Sequence, residues 1–325
     1  MKKKIPAAVS LLLSIGLLCA CGGTTAEAFG ANWNTNTANR DIVSGKTEHL
    51  EYAVTFQPAE NTSPLSLNYT PGTYTADLST ETRQLPDSDK TETVYRYTTR
   101  LDITGNYTLS GETGETFTDS VVSTVYFRSV ANGLQPLEST KHVVSTSPTG
   151  RTTSLKDAYV TYDYTYTVKY TNPLSKANVT FKQTLPEASE WDRTVSLGSS
   201  VNYFDNEQLE FILRGLDMTA ATSLKTLNPL NSQTTTVRIT ETPKDVLETL
   251  SFQMDGEAIN EQIATKSFSF GYASDTGGQA IALVYAKKTG SVNNRFRNVM
   301  LRREVTVMQD LGKLVYTLTR ADFIH

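Results

Sequence analysis

The residues with the most evident chemical potential are Asp275-Thr276-Gly277. Such a triplet can present a carboxylate for peptide hydrolysis, in which two aspartates share one proton and neighbouring glycines let their backbones approach. The chain holds one copy, so that chemistry would require two chains. Ala273-Ser274 precedes it where an apolar pair is needed, and Gly278 follows. Asp, Thr and Gly between two strand-like runs are also ordinary turn formers, and a hairpin turn is the expectation. Glu187 and Glu190 lie beside Trp191 and Asp192. Paired carboxylates next to an aromatic ring suit glycoside hydrolysis, whereas acidic residues in a polar loop are ordinarily solvated. His49, His142 and His325 are scattered, and none has the spacing of a metal-ligand pair. No nucleophile elbow or glycine-rich phosphate loop occurs. The expectation is a protein that is not an enzyme, with no catalytic residue, no metal and no cofactor.

The N-terminus carries a clearer signal. Lys2-Lys3-Lys4 is followed by an apolar run from Ile5 to Leu18, too short for a comfortable membrane span and interrupted by Pro6. The run ends in Leu18-Cys19-Ala20-Cys21-Gly22-Gly23. This resembles the lipobox of bacterial lipoproteins, in which an aliphatic residue and two small ones precede a cysteine that is acylated and becomes the first residue. Cys21 is the expected lipidation site and residues 1–20 the expected signal peptide. The resemblance implies a chain anchored by lipid to the cell membrane on its extracytoplasmic face. Both cysteines of the chain fall in this segment, so the mature domain is expected to fold without disulfides. Two acyl chains suffice for stable anchoring.

Residues 21–46 are rich in Gly, Thr, Ala and Asn and show no apolar period, which predicts a flexible tether. Residues 47–325 then read as a single β-rich domain, with 47–190 and 191–325 as possible halves of one sheet. The chain has 325 residues and a formal charge of -4. Removing the three lysines of the signal leaves -7. A mildly acidic protein is a poor match for nucleic acid and is not drawn to anionic lipid headgroups. The 16 tyrosines and abundant Thr and Val favour pleated, half-buried strands. From Ala158 to Thr171, Tyr162, Tyr164, Tyr166, Val168 and Tyr170 share one face while Thr161, Asp163, Thr165, Thr167 and Lys169 share the other. That tyrosine row is either a binding stripe or core. Core is the expectation, because the opposite face is polar and one face must pack.

One amphipathic helix interrupts the strands. Asp205 can cap it and Gln208, three residues on, can close a capping box. Leu209, Ile212, Leu213 and Leu216 follow the i, i+3, i+4, i+7 spacing of one apolar face. A helix over about 205–214 is too short to stand alone, so it must lie on the sheet. The expected fold is therefore mainly β: a large curved antiparallel sheet or incomplete barrel wrapping one short helix.

Leu213-Arg214-Gly215-Leu216, Arg302-Arg303-Glu304-Val305 and Val315-Tyr316-Thr317-Leu318 give Trp191 to Phe323 a pattern that resembles a family of bacterial envelope proteins of unknown function. In that family a curved sheet wraps a helix, with a general likeness to the lipoprotein carriers LolA and LolB. The resemblance implies a non-enzymatic binding scaffold with a concave face. Its ligand would be apolar or amphipathic, a lipid or a cell-wall precursor. No ligand-binding residue is carried over from the family; the candidate contacts, Leu209, Ile212, Leu213 and Leu216, come from the apolar face of the helix, which packs on the sheet first and meets a ligand only where it leaves a gap. The alternatives are a structural or partner-binding envelope protein and, behind it, a hydrolase of cell wall or peptide.

Overall fold

Alternating apolar and polar residues run through most of the domain and are realised as strands. The structure, a computed structural model, describes residues 47–60, 63–130, 133–198, 203–214, 223–239, 244–272, 281–287, 296 and 298–324. Cys21, the tether, Leu216, Asp275-Thr276-Gly277 and His325 lie outside the described residues.

The first half comprises β1 (Thr47–Pro58), β2 (Leu65–Tyr69), β3 (Gly72–Gln84), β4 (Thr91–Leu109), β5 (Glu112–Thr113), β6 (Phe117–Val130) and β7 (Gly133–Pro148). A single helical turn, α1 (Leu155–Ala158), leads into β8 (Tyr159–Tyr170), β9 (Lys176–Leu185) and β10 (Ser189–Ser196). Then come β11 (Tyr203–Phe204), a 3₁₀ turn (Asn206–Gln208) and α2 (Leu209–Leu213). The remainder is β12 (Ser223–Asn228), β13 (Gln233–Ile239), β14 (Lys244–Met254), β15 (Glu257–Tyr272), β16 (Ile281–Ala286), β17 (Met300–Thr306) and β18 (Gly312–Ile324).

These strands form two connected parts. One is an antiparallel meander in the order β1-β3-β4-β6-β7-β8-β9-β10. The other is a closed five-stranded barrel of β14 to β18. Its consecutive strands pair antiparallel. A short parallel contact closes it, with Gln253 beside Arg320 and Met254 beside Ala321. β1 pairs with β18 along its whole length, joining the meander to the barrel. The mainly β, curved architecture expected from the sequence is what forms. The incomplete barrel is sharpened, since part of the sheet closes on itself.

Local chemistry sets the corners. Ser110-Gly111 and Asp255-Gly256 both have positive φ at two successive residues, the twist that two-residue hairpins require. Asp255-Gly256 joins β14 to β15, so β15 begins at Glu257, ten residues before the Ser267 start that alternation suggests. Gly105-Asn106, which reads as a turn or bulge, instead lies inside β4 and pairs with Tyr69 and Asn68. Gly105 is needed there because a Cβ would stand 2.6 Å from the Tyr69 ring. β2 and β3 consequently lie end to end along β4.

Two apolar clusters fill the inside. The larger spans the barrel, the near half of the meander and α2, and includes Tyr52, Tyr97, Phe127, Phe211, Ile212 and Leu301. The smaller lies under β7 to β10 and contains Tyr162, Tyr164, Tyr166, Val168 and Tyr170. The tyrosine row is therefore core. Its alternation is the pleat of β8 turned inward.

Candidate functional site

Among the described residues, side chains with complementary chemistry converge most densely around the segment Tyr203–Arg214. Asp205 caps the 3₁₀ turn as its spacing predicts. Its side chain accepts from the Glu207 backbone N–H at 2.7 Å, and the Gln208 amide oxygen accepts from the Asp205 N–H at 2.9 Å. The helix is shorter than the expected 205–214, because the first turn is 3₁₀ and only Leu209–Leu213 is α-helical. Leu209, Phe211, Ile212 and Leu213 are all buried in the larger cluster. Phe211 lies against Tyr97 and Phe127, with ring centroids 5.4 and 5.3 Å apart.

The polar side chains of the same segment are buried or partly buried, and the sheet answers each. Glu48 on β1 and Arg214 form a bidentate pair at 2.6 and 2.8 Å, both 6% exposed. Glu210 accepts from the Tyr74 hydroxyl at 2.7 Å and from Arg303 on β17, and its backbone oxygen accepts from Tyr285 on β16. Glu207 accepts from Lys141 on β7 at 3.1 Å and from the Tyr166 hydroxyl. Asn206 accepts from Tyr272 on β15 at 2.6 Å. Gln208 donates to the Leu134 carbonyl oxygen, though at a long 3.4 Å. The segment is thus fastened to β1, β3, β7, β8, β15, β16 and β17.

Asp205 differs from the other carboxylates of the segment. It is 1% exposed and accepts from the Ser139 hydroxyl at 2.7 Å and the Tyr170 hydroxyl at 2.6 Å. Its donors are hydroxyls and an amide, and the nearby Lys141 is engaged with Glu207. Burial first, and then the Glu207 charge, push its pKa up to about 6. For Glu207, burial is overcome by Lys141 and by hydrogen bonds from Tyr166 and Asn206, which hold it below the usual range. Burial penalises the Arg214 charge too, but Glu48 outweighs this and raises its pKa. Burial drives the Tyr74, Tyr166 and Tyr170 phenols well above their ordinary range, so they act as hydroxyl donors.

The other sequence candidates do not assemble. Glu187, Glu190 and Asp192 are exposed. Asp192 accepts from Thr180 on the neighbouring strand at 2.6 Å. Trp191 stacks on Phe181 at 5.0 Å with the Arg193 guanidinium over its ring, so its faces are occupied. His49 pairs with Asp77 on β3, and His142 with Asp163 on β8. Three strands of the meander separate them. A shallow polar depression of about 460 Å³ opens beside Gln84, Leu85, Asp87, Ser88 and Asp89, remote in sequence from every candidate.

Reading for catalytic groups passes over Glu48, Lys141 and Arg303. Each is nonetheless signalled by phase. Glu48 extends the inward alternation of Leu50, Tyr52 and Val54. Arg303 falls in step with Leu301 and Val305, and Lys141 with Ser139 and Val143. A charge at an inward position needs a partner, and the segment Tyr203–Arg214 supplies one each time.

No protein-family model matches the chain and no curated protein matches it. Among solved structures, the chain is similar to a crystal structure from Brucella abortus described as a beta-barrel-like protein of domain of unknown function DUF1849. The identity is 9% and the TM-score 0.48, over 87% of this chain and 99% of that one.

Proposed function

We propose that the chain is a non-enzymatic binding scaffold of the cell envelope, held to the membrane through Cys21, whose concave face takes an apolar or amphipathic ligand. One observation carries this reading. The concave face already accommodates an amphipathic segment of the chain itself, matching its apolar side chains with core and its carboxylates with hydroxyls and cations. A surface with that chemistry suits a molecule with an apolar body and a polar end, in line with the likeness to lipoprotein carriers. Leu209, Ile212 and Leu213 would meet the ligand only once the segment shifts, since all three are buried.

The test is native mass spectrometry of the full chain extracted gently from membranes. A stoichiometric lipid or precursor adduct beyond the covalent anchor is expected. The bare anchored mass in every preparation would overturn the reading. The tight packing around Phe211 favours a second reading, in which the plugged sheet serves as a rigid surface for a protein partner. The bare mass, together with a defined complex recovered by cross-linking in cells, would support that alternative. Anchoring is checked separately: Cys21→Ala should move the protein from the membrane fraction to the soluble extracytoplasmic fraction, and unchanged fractionation would refute the lipidation assignment.

A further inference from the structure

The segment Tyr203–Arg214 is fastened by two unlike ends. At the Arg214 end each carboxylate has a guanidinium: the buried Glu48 with Arg214, and the partly buried Glu210 with Arg303. At the Asp205 end two buried carboxylates, Asp205 and Glu207, stand beside one ammonium, Lys141. Among the described residues, the surroundings supply no second cation to Asp205. β7 contributes Ser139 and Lys141. β8 contributes Tyr166 and Tyr170 by hydrogen bond and Tyr164 through its proximity to Glu207. β15 contributes Tyr272, bonded to Asn206. Thr226 of β12 bonds the Phe204 carbonyl oxygen and carries no charge. The side chains of β6 on the same inward face, Ser123, Val125 and Phe127, do not titrate. Arg303 is committed to Glu210. With all its groups ionised, this end therefore buries one negative charge that no described residue compensates.

We propose that the Asp205 end is a proton-controlled latch, closed when Asp205 is protonated and loosened when it ionises. Deep burial gives a charge its highest cost. A proton on Asp205 leaves Glu207 and Lys141 as a balanced pair. One of the two hydroxyls now donating to Asp205, Ser139 or Tyr170, then turns to accept from the protonated carboxyl, so the added proton has an acceptor. The sign follows from linkage. The carboxyl holds its proton more tightly in the closed segment than in an opened, solvated one, so closure is strongest below the ordinary carboxylate value, weakens as pH rises from there through the folded value near 6, and levels off above it. Glu207 has the opposite sign, because it is held below its ordinary range. It weakens closure only under stronger acid. The latch rests on the proposed binding role for its purpose, since opening is what would admit a ligand, but its test needs no ligand.

That test is amide hydrogen exchange by mass spectrometry on the full chain, with rates corrected for the intrinsic effect of pH. Protection of the peptide spanning Asp205–Leu213 should fall about tenfold between about pH 5 and about pH 8, with a midpoint near 6. Peptides from the barrel strands should not follow that midpoint. In Asp205→Asn the fall should vanish. If that variant does not fold, Glu207→Gln removes the neighbouring charge and should move the midpoint down by about one unit. Equal protection at both pH values in the natural chain would overturn the latch. The same fall persisting in Asp205→Asn, or an unmoved midpoint in Glu207→Gln, would also overturn it. Asp119→Asn serves as the control for the other deeply buried carboxyl raised to about 6, which lies at Tyr69 and Thr146 away from the segment. A midpoint abolished by that change and kept in Asp205→Asn would assign the effect to Asp119 and sink the proposal. A missing lipid adduct with an intact pH-dependent latch would count against the binding role alone.

Discussion

Glu48→Gln should lower the unfolding free energy by about 3–5 kcal/mol, the usual cost of leaving a buried charge without its partner. The carboxylate meets Arg214 through two short bonds, and neither side chain reaches solvent to recover hydration. Arg214 cannot respond by losing its proton at ordinary pH. The informative comparison is the double replacement Glu48→Leu with Arg214→Met. It removes both charges and retains apolar volume, so most of the lost stability should return. Denaturant titrations at fixed pH give both values. If Glu48→Gln costs less than about 1 kcal/mol, the pair is hydrated in solution and does not fasten the segment. If the double replacement is as damaging as the single one, the pair contributes more than charge balance.

Phe211→Ala should be comparably severe, at about 3–5 kcal/mol, because it removes a ring packed between two others and leaves a cavity where three elements meet. Phe211→Leu keeps most of the volume and should cost about 1.5 kcal/mol or less. Leu247, on the outer side of β14 and 63% exposed, gives the contrast. Its replacement by Ala should stay within about 0.5 kcal/mol. Thermal or denaturant unfolding checks the series. A Phe211→Ala variant as stable as the natural chain would mean that the segment leaves the concave face readily, which would undercut both the packed core and the latch.

The strands were legible wherever one side of them is buried. Val54, Tyr52 and Leu50 alternate because β1 has core on one face and water on the other. The capping box was legible for the same local reason: Asp205 and Gln208 are three residues apart and need nothing distant to pair. Long-range closure was not. Nothing in Met254 or Ala321 announces that β14 and β18 run parallel and seal a barrel, since parallel contacts leave no period of their own. β12, only six residues long, is too short for its alternation to stand out in the sequence. The ion pairs were half legible. Glu48 and Arg303 break an apolar phase, which shows that each must be paired, but the partner sits more than ninety residues away in both cases. Leu209, Ile212 and Leu213 were legible as an apolar face. Whether that face serves packing or ligand is a matter of what the sheet does, and helical spacing is silent on it.

The position of the last strand has a consequence for how the chain is made. β18 pairs with β1, β17 and β14, so the C-terminal strand is shared by the meander and the barrel. β1 is synthesised long before its partner residues from Gly312 to Ile324. The hairpins from β3 to β10 pair with near neighbours in sequence and can form as they emerge. The barrel cannot close, and β1 cannot acquire its second neighbour, until β18 has been made. Assembly of both parts therefore waits on β18, and a nascent chain that stops before this strand would carry an open sheet edge along both parts at once, the kind of exposed edge that invites aggregation.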